Sequence, residues 1–182
     1  EILKNPCIPC ASSILPIVQS LHEINLKLTA LKEHSSEEDI TKFAAECAHI
    51  IHDLAPMKSY AIPVSWYTQG SGHAMIAIFK KTDESHYDII LCNTGSGLSD
   101  FHPRNFLQGK WRYQPMIQMS NIPIDELFAF GHNDNKNSAN YCIEKLLKGT
   151  LVSSSLSLYT PETIYLNIFG PLFLKYQDKN FR

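Results

Sequence analysis

The chain has 182 residues, five cysteines, and 16 basic against 18 acidic residues, for a net charge of −2. This length suits one domain and lets it bury a real core without disulfides or metal. No basic cluster marks a nucleic-acid surface, and no apolar run approaches the roughly 18–20 residues of a membrane span.

Pro6, Pro9 and Pro16 make the first residues irregular. Ser12 or Ser13 is expected to cap a first helix, with Pro16 in its opening turn. Leu21, Ile24, Leu28 and Leu31 recur at helical spacing and carry that helix to about Leu31. In "HSSEED", Ser35 or Ser36 supplies a cap, and the following acids complement the helix dipole. Ile40, Phe43, Ala44, Cys47, Ile50, Ile51 and Leu54 then form one apolar face, ending before Pro56.

From "SYAIPVSWY" onward the pattern is β-like, and Pro63 suggests an edge or a strand start. "HAMIAIFKK" and "HYDIILCN" read as two strands, and the short polar turn between them predicts an antiparallel hairpin. "GKWRYQPMIQM" reads as another strand and "IPIDELFAF" as a helix opened by proline. "NDNKNSANYCIEKLLKG" reads as a loop, a Ser138 cap, a helix and a Gly149 stop. "TPETIYLNIFGPLFLKY" reads as helical with a break near Gly170-Pro171. The expectation is an α+β layout: helices over 1–56, a small antiparallel sheet over 57–119, and mainly helices over 120–182. These form one domain, open to being a piece of a longer protein, since the chain begins with Glu1 rather than Met. The odd cysteine count does not suit a secreted disulfide scaffold, and Cys47 and Cys92 sit in apolar patterns. The chain therefore reads as working reduced, in a cytosol.

His73 opens the first hairpin strand and Asn93 closes the second. In an antiparallel pair these ends are neighbours, although a slip of one residue would turn one side chain to the other face. An amide beside a histidine holds one ring nitrogen, fixes the tautomer and leaves the other nitrogen free as a base. A thiol or hydroxyl nucleophile needs such an aimed base. Gly70, Gly72, Gly95 and Gly97 flank the pair, and Gly72 and Gly95 in particular would let an extended peptide approach. Trp66 is a candidate wall of the same cleft. The plainer reading makes His73 a hydrogen-bonded strand residue and "NTG" a turn.

The phrase "GHAMIAIF…YDIILCNTGSGL" resembles the histidine–asparagine half of the papain-like cysteine peptidases. "IPVSWYTQGSGHAM" and "NTGSGLSDFHP" resemble members that act on ubiquitin-type or other protein substrates, including bacterial effectors and deubiquitinases. The resemblance runs over about Ile62–Pro103. It implies a papain-like fold, a cysteine nucleophile, His73 as base, Asn93 as its orienter and no cofactor. It also implies a protein or peptide substrate, ubiquitin-like included, met in a cytosol or after secretion into a host cytosol. The family's usual phrase around the cysteine is missing. Cys10 stands just before a predicted helix and ahead of the histidine in chain order, where a helix dipole would favour thiolate; Asn5 could then help hold the oxyanion. Cys142, inside a core-like stripe, and a nucleophile outside this chain are the alternatives. A binding module of the same fold, with its site incomplete, is the rival function.

Other groups carry weaker signals. "CIPC", Cys7 to Cys10, is one C-x2-C pair and so half a zinc site, even with His22 nearby, and no metal is expected. His49 and His52, beside Asp53, read as the polar flank of a helix. His102 is expected to be structural, with cleft lining or an alternative base as its other roles. "TGSG" lacks the context of a phosphate loop.

Overall fold

The computed structural model describes residues 11–34, 36–68, 71–129, 139–151 and 160–176. Helix α1 spans Ala11–His34 and α2 spans Glu37–His52; a four-stranded antiparallel sheet follows, in the order β1-β2-β3-β6. Its strands are β1 (Ser59–Thr68), β2 (Ser71–Lys81), β3 (His86–Cys92) and β6 (Met116–Pro123). A separate ribbon pairs β4 (Arg104–Leu107) with β5 (Lys110–Tyr113). Short helices α3 (Leu98–Phe101) and α4 (Ile124–Ala129) connect these elements. Helix α5 (Ala139–Leu151), a π-helical turn (Thr163–Ile168) and α6 (Gly170–Tyr176) complete the chain order. The α+β layout with a small antiparallel sheet is therefore correct.

Period-two alternation places the core. Met75, Ala77 and Phe79 of β2 and Tyr87, Ile89 and Leu91 of β3 are buried on one face, as strand geometry requires of residues two apart. They share a cluster with Ile24 and Leu28 of α1, Phe43, Cys47 and Ile51 of α2, and Leu146 and Leu147 of α5. Strand β1 is an edge strand, one of the two placements that Pro63 suggested. The Ala61 amide, pointing off that edge, donates to Ser20 Oγ of α1 at 3.2 Å. Two residues on, where the next amide would point the same way, proline has none to satisfy. Helix α1 thus covers an edge that would otherwise pair with another chain.

The caps repeat this agreement between sequence and structure, with exceptions. Ser36 caps α2 and forms a reciprocal capping box with Asp39. Ser12 and Ser13 do not cap α1: the helix already runs from Ala11, places Pro16 inside, and extends to His34. Gly149 does not stop α5, which continues to Leu151; a glycine weakens a helix by about 1 kcal/mol, which packing readily overrides. The expected cap Ser138 lies outside the described residues. The single strand expected over "GKWRYQPMIQM" is two, interrupted at Gln114-Pro115, because proline cannot donate to a ladder. Its first half pairs with β4 through a two-residue turn in which Gln108 (φ 52°) and Gly109 (φ 75°) are both left-handed, the twist-matching hairpin geometry.

Candidate active site

The hairpin of β2 and β3 builds the site. Its ladder runs from Lys81↔Tyr87 to Ile76↔Cys92. Continued in register, His73 would stand opposite Gly95, so Asn93 lies two residues from the opposing position. An offset of two keeps both side chains on one face and within diagonal reach. That face is the core face, because His73 and Asn93 keep the parity of Met75 and Leu91. His73 Nε2 meets Asn93 Oδ1 at 2.7 Å. The expected neighbours are therefore joined, diagonally rather than face to face.

Asn93 is buried and held at every polar atom. Its Oδ1 also accepts from the Gly95 amide at 2.9 Å. Its Nδ2 donates to the Ser96 carbonyl at 2.9 Å and to the Tyr165 hydroxyl at 3.0 Å. A carbonyl can only accept and an amide N–H can only donate, so these partners fix which end of the side chain is oxygen. The Asn93 oxygen therefore requires a proton on Nε2 of His73. Nδ1 is left with its lone pair, and it has no hydrogen-bond partner among the described residues.

Gly95 approaches the ring closely. A Cβ there would fall 2.8 Å from His73 Nδ1 and nearer still to Cε1. Gly95 is exposed, and so is Gly72, the strand neighbour of His73. Trp66 differs from expectation. It pairs with His73 across β1 and β2, and its ring centroid lies 4.8 Å from the imidazole, but it is 0% exposed. It backs the histidine from inside and offers no surface to a substrate.

The far side of Asn93 was not foreseen. Tyr165, in the π-helical turn, bonds Asn93 and lies 2.7 Å from His102 Nε2; His102 Nδ1 donates to the Gln114 carbonyl at 2.8 Å. His102 is buried, which lowers its pKa against the opposing pull of that carbonyl. Burial raises the Tyr165 phenol to about 12, with the Asn93 bond pulling the other way. Both groups are neutral near pH 7. His102 thus has the expected structural placement, with neither ring nitrogen free to act as a base. Its link to Asn93 runs through a tyrosine 72 residues from Asn93 in sequence, with no local motif to reveal it.

The described thiols are unsuited to attack. Burial raises Cys142 to about 12 and Cys47 to about 11, and raises Cys92 as well. Cys142 faces Ile51, Phe79, Leu127 and Phe128 in the core, in keeping with its apolar stripe. Cys10, Cys7 and Asn5 lie outside the described residues. The Ser20–Ala61 bond sets the middle of helix α1 beside β1. His52 bonds Asp53 at 2.9 Å on the surface. Among the described residues no group of three or more His, Cys, Asp or Glu could hold a metal ion, and no helix is long and apolar enough to cross a membrane.

No protein-family model matches the chain. Neither curated proteins nor solved structures provide a significant match.

Proposed function

We propose that this chain is a papain-like cysteine hydrolase acting on a peptide or isopeptide bond of a protein substrate. The observation that carries the reading is the 2.7 Å bond from His73 Nε2 to Asn93 Oδ1. It leaves Nδ1 as the one lone pair of an oriented, half-buried imidazole beside two exposed glycines. Cys10 is the nucleophile in this reading. It precedes His73 in chain order, as the resemblance implies, and its expected place before a helix would favour thiolate.

Nδ1 of His73 takes the Cys10 thiol proton, and the sulfur attacks the carbonyl carbon. Asn5 is the proposed side-chain donor to the resulting oxyanion. The imidazolium returns its proton to the leaving amine as the C–N bond breaks. Water, deprotonated by the same nitrogen, then releases the acyl group and restores the thiol. Asn93 holds the ring throughout and steadies its charged form. A ubiquitin-like substrate and a cytosolic setting, including the cytosol of a host, belong to the same reading.

The test is alkylation by iodoacetamide at pH 6, with the modified sites assigned by mass spectrometry, in the wild type and in His73→Ala. Selective labelling of Cys10 that is lost in the variant supports a thiolate–imidazole pair. Uniformly slow labelling of all five cysteines overturns it and leaves a binding module of the same fold.

A further inference from the structure

We propose that Tyr165 and His102 are positioning residues of this site, forming a buried chain that works with the Ser96 carbonyl and the Gly95 amide to hold Asn93, and with it the proton on Nε2 of His73. The inference rests on the reading of His73 as the base.

The chain has one permitted direction at each link. The Gln114 carbonyl can only accept, so it takes the Nδ1 hydrogen of His102 at 2.8 Å. In a neutral ring the other nitrogen is then a lone pair, and burial keeps this ring neutral. That lone pair takes the Tyr165 hydroxyl hydrogen at 2.7 Å. The phenol oxygen is left as an acceptor and receives Asn93 Nδ2 at 3.0 Å. The second amide hydrogen goes to the Ser96 carbonyl. With both amide hydrogens held inside, Oδ1 faces outward to Gly95 and His73.

The hydroxyl of Tyr165 is separable from the packing of its ring. The ring stacks on Phe101 at 4.6 Å and 5°, a contact phenylalanine would make equally well. The backbone beneath it is also unusual. Phe169 N–H bonds the Ile164 carbonyl at 3.0 Å, a five-residue closure, in a π-helical turn. Such turns are rare and concentrate at functional sites. The hydroxyl is the part of the side chain that joins His102 to Asn93.

Three variants separate positioning from packing. Tyr165→Phe keeps the stack and removes the link. His102→Asn keeps a donor near Nδ1 but no acceptor for the tyrosine. His102→Gln places an amide oxygen near the position of Nε2 and keeps that acceptor. The first readout is ring-nitrogen NMR, with His73 assigned by the signal lost in His73→Ala. The second is the pH profile of Cys10 alkylation by iodoacetamide. The wild type is expected to show His73 as a single Nε2–H tautomer. Tyr165→Phe and His102→Asn should loosen Asn93, admit the other His73 tautomer beside the Nε2–H form, and slow labelling at pH 6 by about tenfold, the scale of one lost hydrogen bond. His102→Gln should stay close to wild type in both readouts.

A His73 spectrum unchanged in Tyr165→Phe and His102→Asn, with only the melting temperature lowered, would make the chain purely structural and overturn the proposal. So would equal losses in His102→Gln and His102→Asn. Should Tyr165→Phe fail to fold, the His102 pair decides alone. Should Cys10 prove unreactive in the wild type, the hydrolase reading fails, and the NMR comparison still decides the tautomer.

Discussion

Replacing Gly95 with alanine probes the site at its tightest point. Gly95 does not have a positive φ, so alanine costs nothing in backbone conformation. Taken alone, the change should stabilise the fold by about 0.4–1 kcal/mol through the unfolded state. Space reverses the sign, because the new methyl would stand 2.8 Å from His73 Nδ1 and closer to Cε1. The buried Trp66 ring backs the imidazole 4.8 Å away, and the Asn93 bond holds it at Nε2. Overpacking of this kind costs about 1–3 kcal/mol, so Gly95→Ala should be net destabilised by about 1 kcal/mol. If the ring swings away instead, it gives up the Asn93 bond and the aim of Nδ1. In that case Cys10 labelling at pH 6 should fall by about tenfold, the scale of one lost hydrogen bond. Urea unfolding and iodoacetamide labelling read the two effects separately. A variant more stable than wild type with undiminished labelling would refute the close approach of Gly95 to the ring.

Two further perturbations test the buried polar contacts of the fold. Burial lowers the pKa of His102 in the folded state, so the unfolded chain binds that proton first. The stability this group contributes is complete above its ordinary pKa of about 6.5 and is lost as pH falls through the lower folded-state value. Urea unfolding between pH 7 and pH 4 should show this acid limb, and it should shrink in His102→Gln; equal limbs in both proteins would contradict it. Ser20→Ala would leave the Ala61 amide without its partner at a covered sheet edge. It should cost about 1–2 kcal/mol, measured by urea unfolding, and a change below a few tenths would mean that water replaces the hydroxyl.

What could be read from the residues was whatever depends on short separations. The hairpin was legible because two apolar runs flank a four-residue polar turn. Pro63 suggested an edge or a strand start, and Ser35 or Ser36 followed by acids announced a helix start. The pairing of His73 with Asn93 followed from counting along that hairpin, although its diagonal geometry needed the true register. Features settled by distant contacts were not legible. Trp66 looked like a cleft wall because its burial depends on elements far along the chain. The β4–β5 ribbon was hidden because Pro115 interrupts a run that otherwise continues the strand pattern. Tyr165 lies in a segment whose pattern read only as helical. Its partners lie 63 and 72 residues away, and sequence spacing carries no information about such a contact.

The position of Tyr165 also bears on the order in which the chain is made. The helices α1 and α2 and the β2–β3 hairpin all leave the ribosome well before residue 165 does. Until the π-helical turn arrives, Asn93 Nδ2 lacks one of its two acceptors and His102 Nε2 lacks its donor. The full set of hydrogen bonds around Asn93 thus waits for a residue close to the end of the described chain.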